Sequence, residues 1–257
     1  MRCGRLNMTR ADPEEKSVNR WENEKGRVKK HMSSTEKDKT QNRMTRQVFY
    51  ADVRMTRALL VNEWDKKRFL NAIEEARSLL RVEVYAFCVL DDRFRLLAGG
   101  KDVKNRTVRR LVSAALELFE RDAELLGEKN MSVSGMQVRA NIVRIEDEKD
   151  ALAVMRFIHL TPFSEGYTIS AQDYWWTSFS TYRGHYNWTL LDTAPVMQYL
   201  SNCPGRVSGT LTEYHRRGEA LRNPVPSCIR KGEFEILPQG GVCFPQGNIN
   251  ETFMVQA

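Results

Sequence analysis

The sequence predicts an α+β protein with a ferredoxin-like βαββαβ core, in which an antiparallel sheet carries helices on one face and leaves its other face open. Two observations predict this class. Short segments that are apolar, or that alternate between apolar and polar residues, are interleaved with longer segments of helical periodicity. Two of the apolar segments are separated only by Asp91 and Asp92, a turn signal that predicts a hairpin.

The order of the elements along the chain is strand, helix, hairpin, helix, strand, helix. Strands are predicted at Gln47–Val53, Val82–Leu90, Arg93–Ala98 and Gln137–Glu146. Helices are predicted at Asn62–Leu80, Asn105–Leu126 and Asp147–Leu160, where apolar residues recur every three or four positions. Asn62 and Asp147 are suitable N-caps. Pro162 is expected to end the third helix because proline has no backbone N–H to donate.

Charge divides the chain unevenly. Residues 1–46 hold 13 Lys/Arg and 7 Asp/Glu, so this segment supplies most of the net charge of +7. It is predicted to be a disordered basic tail that attracts nucleic acid, or a solvated arm added by an upstream start codon, with Met32 and Met44 as alternative starts. A domain is predicted over 47–200. Residues 201–257 are predicted to be an irregular extension with one hairpin around Phe234–Phe244.

Composition excludes several other classes. No run of about 18 apolar residues is present, so no membrane span is expected, and the first residues lack the apolar stretch of a secretory signal. A cytoplasmic location is therefore expected. The five cysteines show no metal-binding spacing with the four histidines, so reduced thiols and no structural zinc are predicted.

Three motifs occur in order over about residues 47–200. The first is Y-A-F-C-V at 85–89, leading into a strand that ends at Leu96-Leu97. The second is F-I-H-L-T-P at 157–162, and the third is D-Y-W-W-T-S-F at 173–179. Together they resemble the single-tyrosine HUH transposases, in particular the REP-associated tyrosine transposases, where Tyr-x-His-x-Asn-Pro closes the catalytic helix and Trp-x-Ser-Ser-Tyr follows.

The resemblance implies a particular chemistry for the site. In the family, two histidines two residues apart on the second hairpin strand hold Mg or Mn, because residues i and i+2 share one face of a strand. The metal polarises the scissile phosphate, and the helix tyrosine attacks to form a phosphotyrosine link to DNA. An asparagine four residues after the tyrosine assists at the metal. The corresponding positions here are Arg93, Arg95, Phe157 and Thr161.

All four positions depart from the family pattern. Guanidinium groups stay protonated and have no lone pair for a metal, and phenylalanine has no nucleophilic oxygen. The sequence therefore predicts a catalytically inactive family member that needs no cofactor and has no metal site. The resemblance implies a protein related to DNA transposition by a mobile element, with hairpin or single-stranded DNA as its partner, and often a homodimer.

Candidate DNA-binding residues come from two places. Arginine can grip phosphate in a bidentate manner, so Arg93 and Arg95 on the open face, joined by Arg139 and Asn141 from the neighbouring strand, are candidate DNA contacts. The alternative is that the arginines are simply solvated. Trp175 and Trp176 are candidates for stacking on unpaired bases. The alternative for both tryptophans is that they fasten a loop to the core, and His159 is expected to serve packing or hydrogen bonding.

Two other functions stay open on the sequence. One is an active transposase that cleaves and joins single-stranded DNA with a non-standard nucleophile. The other is a regulatory or interaction module that does not bind DNA, which would be favoured if Arg93 and Arg95 were buried or paired with acids such as Glu146.

Overall fold

The protein is seen in a computed structural model that describes residues 46–128, 136–201, 207–230 and 232–237. The predicted tail therefore lies outside the described residues, apart from Arg46. In the described part of the chain, no helix combines the length and the apolar character that crossing a membrane requires.

One antiparallel sheet organises the described residues. Its strands are β1 (Gln47–Met55), β2 (Glu83–Val89), β3 (Arg93–Gly100), β4 (Val138–Ile145) and the short β5 (Glu235–Ile236). They lie in the order β2-β3-β1-β4-β5, and each neighbouring pair is antiparallel. The first four strands have the order and direction of a ferredoxin-like sheet, which confirms the fold class predicted from the sequence.

Two long helices cover one face of the sheet, as predicted. They are α1 (Glu63–Leu80) and α2 (Asn105–Leu125). Helix α1 begins after Asn62, whose side chain accepts a hydrogen bond of 2.8 Å from the Asp65 N–H, as expected for an N-cap. Phe69 is fully buried between the helices and the sheet, with ring centroids 4.7 Å from Phe94 and 5.7 Å from Phe119.

The opposite face is not open, which corrects the expectation from the sequence. Helix α3 (Glu148–Ser164) packs against it, and a second hydrophobic cluster forms between them. This cluster includes Tyr50 and Leu97 from the sheet with Phe157 and Ile158 from the helix. The helix has an apolar stripe of its own, and burying it against the second sheet face removes both surfaces from water.

Helix α3 also runs further than predicted. Pro162 lies inside the helix, which continues to Ser164. A proline removes one N–H donor, but only two residues follow it before the end of the helix, so little of the hydrogen-bond ladder is lost. The last turn is closed instead by the Glu165 N–H, which donates to Thr161 O at 2.9 Å.

The segment that follows helix α3 covers the edge of β2. It contains the short helix α4 (Phe179–Tyr182) and leads into α5 (Thr193–Ser201). Val89 N–H donates to Trp176 O at 2.9 Å, and Ser178 N–H donates to Phe87 O at 3.1 Å. An edge strand with unpaired backbone groups invites association, and this segment pairs some of them within the chain.

The C-terminal extension is more regular than predicted. Helix α6 (Val207–Ala220) packs against α3, and β5 pairs with β4. The sequence prediction missed this helix because glycine at 209 and 218 lowers its apparent helical propensity. Gly218 lies so close to Leu160 that a Cβ would collide with its side chain, so glycine is what lets the two helices approach. Residues 238–257, which hold the second half of the predicted hairpin, lie outside the described residues.

Candidate functional site

The face of the sheet beneath α3 carries a row of polar residues across four strands. Arg95 on β3 lies opposite Cys88 on β2 and Asp52 on β1, and Asp52 lies opposite Asn141 on β4. All four are buried, with Arg95 and Asp52 only 5% and 4% exposed. Charged side chains are rarely buried to this degree unless they are paired, so the row marks a site that the fold must satisfy internally.

Arg95 is the centre of this site. Its guanidinium donates to Thr161 Oγ1 at 2.6 Å and to a Glu165 carboxylate oxygen at 3.2 Å. Its Nε lies 3.4 Å from Asp52 Oδ1, an ion pair that lacks hydrogen-bond geometry. The guanidinium also lies 4.9 Å from the centroid of the Phe157 ring, within the range of a cation–π contact. One side chain therefore links β3 to β1 and to helix α3.

The structure brings together the four positions that the sequence resemblance matches to the reactive groups of the transposase family. Arg95, Phe157 and Thr161 are in direct contact, as just described, and the Thr161 hydroxyl donates to Phe157 O at 2.9 Å. Arg93 joins them through Glu165, to which its guanidinium lies 2.9 Å away. The carboxylate that pairs with Arg93 and Arg95 is that of Glu165. Glu146, the example expected from the sequence, pairs with Arg144 instead.

The residues at this place do not fit a divalent metal. Two arginines occupy the positions that would supply imidazoles, and the Asp52 and Glu165 carboxylates are already engaged by guanidinium groups. Burial lowers the pKa of Arg95, but Tyr50, Asp52 and Glu165 outweigh it and hold its pKa above the usual value, so it stays a cation. In the described part of the chain, no three His, Cys, Asp or Glu side chains are grouped to hold a metal.

A tyrosine lies beside Phe157, the position that the sequence resemblance matches to the family's nucleophile. The Tyr50 ring centroid is 6.4 Å from that of Phe157, and Tyr50 is only 2% exposed. Burial, and then the Asp52 carboxylate, raise its pKa well above the ordinary tyrosine value. A phenol that is buried and hard to ionise is a poor nucleophile, because attack on phosphate needs both access and an activated oxygen.

A second row of arginines crosses the same face one step nearer the strand ends. We call it the arginine row. Arg54 on β1 lies opposite Arg93 on β3 and Arg139 on β4. Arg139 is exposed and the Arg54 side chain is 47% exposed, whereas that of Arg93 is 22% exposed. Like charges directly opposite each other on neighbouring strands are destabilising. Carboxylates offset part of this cost, since Arg54 donates to Asp52 at 3.1 Å and Arg93 donates to Glu165. The exposed Arg139 is the member of the row best placed to meet an outside anion.

The remaining predicted DNA contacts lie in different settings. Asn141 is 6% exposed, and Gly232 lies against it so closely that a Cβ there would collide with the amide. Trp176 is partly buried and packs 6.1 Å from the ring of Trp188. Trp175 is 49% exposed. The two tryptophans belong to the segment along the β2 edge, and the structure does not bring them into the polar row.

His159 forms a buried hydrogen-bonded chain, in keeping with the role expected for it. Its Nε2 lies 2.6 Å from Ser178 Oγ and its Nδ1 lies 2.8 Å from His215 Nε2. The Nδ1 of His215 lies 2.7 Å from Leu211 O, which can only accept. His215 Nδ1 therefore carries the hydrogen, His159 Nδ1 donates to His215, and Ser178 donates to His159. Burial lowers the pKa of both imidazoles and keeps them neutral, as this assignment of donors and acceptors has them.

Sequence reasoning missed several residues of the site. Asp52, Glu165 and Arg54 were not singled out, although Asp52 and Arg54 alternate with Tyr50 along β1 and so share its face. That alternation was a usable signal. His215 offered none, because its partner His159 lies 56 residues away in the sequence and nothing local marks the pair.

Comparison with known proteins gives a similarity at the level of structure. No protein-family model matches the chain, and no curated protein matches it. Among solved structures, it is similar to that of a REP-associated tyrosine transposase bound to a REP hairpin. The identity is 20%, the TM-score is 0.43, and the match covers 55% of this chain and 82% of that one.

Arg95→Ala is expected to destabilise the protein by about 2–3 kcal/mol, because Thr161 and Glu165 lose a charged hydrogen-bond donor and Asp52 keeps only Arg54 as its cation. Urea unfolding followed by circular dichroism measures this free energy. The matched control is Arg144→Ala, whose surface pair with Glu146 is worth at most about 1 kcal/mol. Equal effects of the two substitutions would show that Arg95 is not the link between the strands and α3.

The free energy of unfolding is expected to fall as the pH drops from about 6.5 towards 4. Burial lowers the pKa of His215 to about 4 and that of His159 well below its usual value. Between the folded and unfolded pKa values the unfolded chain binds more protons, so each histidine contributes stability above pH 6.5 that is lost on acidification. The slope is up to about 1.4 kcal/mol per pH unit for each histidine.

Unfolding free energies measured across this pH range test the prediction with one variant and one control. His215→Gln is expected to have a shallower dependence on pH than the wild type. His185→Gln removes an exposed histidine and is expected to keep the wild-type slope. The assignment to the buried chain would be wrong if the two variants changed the slope equally.

Proposed function

We propose that this chain is a DNA-binding protein related in design to the single-tyrosine transposases, and that it does not cleave DNA. The observation that supports the proposal is the contact between Arg95, Thr161 and Phe157, at the positions where such an enzyme would have a metal ligand, an assisting amide and a nucleophile. These side chains contact one another, through a hydrogen bond and a cation–π contact, and do not face a substrate.

The lack of cleavage follows from three physical properties of the site. The guanidinium of Arg95 occupies the metal position with a permanent positive charge. Phe157 offers a ring where an attacking oxygen is required. Helix α3 covers the face, and Arg95, Phe157 and Thr161 are all less than a tenth exposed, so a phosphodiester has no access to the reacting atoms.

DNA binding is proposed for the arginine row. Arg54 and Arg139 are its more exposed members, and both lie at the rim of the face on which a transposase would process its substrate. An anionic backbone laid across the row would relieve the repulsion between the guanidinium groups and release counterions. Arg93 is a weaker candidate since it is paired with Asp92 and Glu165, and Arg95 is engaged below the surface.

The same ion pairs favour a second candidate, a regulatory or interaction module without DNA binding. Arg95 is buried and both it and Arg93 are paired with acids, the arrangement that the sequence reasoning named as the mark of this alternative. The first candidate is preferred because Arg139 is exposed and lies opposite the half-exposed Arg54 at the rim, which leaves positive charge facing water even though Arg54 is paired with Asp52. Single-stranded or hairpin DNA as the ligand, a homodimer, a cytoplasmic location and the lack of a cofactor stay predictions.

No covalent protein–DNA adduct is expected when the protein is incubated with hairpin-bearing single-stranded DNA and Mg²⁺ or Mn²⁺, because no accessible nucleophile lies at the site. Denaturing gel electrophoresis of labelled DNA detects such an adduct. Its appearance would overturn the inactive assignment. Loss of that adduct in Tyr50→Phe, but not in Tyr186→Phe, would then identify Tyr50 as a non-standard nucleophile.

Arg54→Ala/Arg139→Ala is expected to weaken single-stranded DNA binding and to lower the slope of log affinity against log salt by about 1.4, at about 0.7 per phosphate contact. Fluorescence anisotropy across a salt series gives both quantities. Arg144→Ala removes an arginine from the opposite face of β4 and is expected to leave the slope unchanged. Wild-type slope and affinity in the double variant would exclude the arginine row, and a wild type that binds no DNA would favour the second candidate.

A further inference from the structure

A cleft lies away from the polar row, between the segment along the β2 edge and helix α5. Its volume is about 460 Å³, within the range of small-ligand sites. The cleft is lined by Thr181, Tyr182, Gly184, His185, Tyr186, Asn187, Thr193 and Met197. None of the functional positions considered so far belongs to this lining.

The lining indicates the chemistry of a ligand. None of the eight residues is Lys, Arg, Asp or Glu, so the cleft has no fixed charge to hold a phosphate or an ammonium group. It offers the side chains of His185, Asn187 and Thr193, which can donate and accept hydrogen bonds, beside the apolar Met197 and the ring of Tyr186. This combination suits an uncharged, flat ligand with hydrogen-bonding edges.

Exposed aromatic rings continue from the cleft along the surface. Tyr186 is 42% exposed and Trp175 is 49% exposed, and their ring centroids lie 4.9 Å apart. Both pack on Trp188, which in turn contacts Phe87 of β2 at 5.7 Å. Trp175, Tyr186 and Trp188 thus form an aromatic platform, which is anchored in the core through Phe87. Its outer rings, those of Trp175 and Tyr186, stay in water. Trp176, in contrast, is partly buried and supports the platform by packing against Trp188.

We infer that this cleft is a subsite for one unpaired nucleobase, which stacks on Tyr186 and presents its edge to Asn187 and His185. Bases that have left a duplex are held in this way, by an aromatic face and by hydrogen bonds to the base edge. The inference rests on the proposed DNA-binding function and deepens it, because it assigns the backbone to the arginine row and a base to a separate place.

The test compares two oligonucleotides of about 12 nucleotides, within the site sizes of single-strand binders. One has a mixed sequence and the other is abasic, so both carry the same phosphate charge. The wild type is expected to bind the base-bearing strand about 5- to 150-fold more tightly, the range for stacking one base. Tyr186→Ala and Asn187→Ala are expected to reduce this preference while leaving the salt dependence unchanged.

The control is Trp64→Ala, which removes an exposed tryptophan of helix α1 outside the cleft and is expected to keep the preference. In a second arm, adenosine or cytidine is added to the full-length protein, and the amide chemical shifts of Gly184 and Asn187 are followed. These shifts are expected to move on addition of a nucleoside.

The two arms separate the possible failures. Equal affinity for both oligonucleotides, with no shift at the cleft amides, would overturn the inference while leaving DNA binding intact. Shifts at the cleft without binding of either oligonucleotide would retain the subsite and contradict the proposed function. Equal loss of preference in Trp64→Ala and Tyr186→Ala would also overturn the inference, because the effect would not belong to the cleft.

Discussion

The buried guanidinium of Arg95 is the constraint on which the polar centre of this protein depends. A cation in that position must be paired, and its partners come from a strand, from the body of a helix and from the end of that helix, namely Asp52, Thr161 and Glu165. Each partner is needed because an unpaired charge in a buried setting costs several kcal/mol. The position of α3 over the sheet is therefore tied to the charge of one side chain.

This constraint also separates binding from chemistry. The guanidinium groups of Arg93 and Arg95 are neutralised by carboxylates, so they stabilise the fold and contribute little to the field outside it. Positive charge remains at the rim, where Arg54 and Arg139 face water beside one another. Charges at a rim act on the rate and strength of association with an anionic partner, and they do not require the deep access that catalysis needs.

The sequence predicted the four main strands and three main helices of the fold, because periodicity and turn signals are local properties. It did not predict that α3 covers the second face, since the choice of face depends on packing between distant segments such as Tyr50 and Phe157. For the site, the motif positions Arg93, Arg95, Phe157 and Thr161 were found and do lie together. Their partners Asp52 and Glu165 were missed. Alternation along β1 could have placed Asp52 on this face, but nothing in the local sequence shows which distant residues form an ion pair.

The motif residues that resemble the transposase pattern have structural roles in this protein. His159 and Ser178, which match the two halves of the family pattern, bond to each other across 19 residues of sequence. The backbone of Ser178 is also bonded to Phe87 of β2. These motif residues hold a helix, an edge strand and the aromatic segment in place, and they do so without any catalytic step. Residues with such structural roles indicate a framework and not an activity. The activity must be judged from other positions, among them Arg93, Arg95, Phe157 and Thr161, which meet at Arg95 and Glu165.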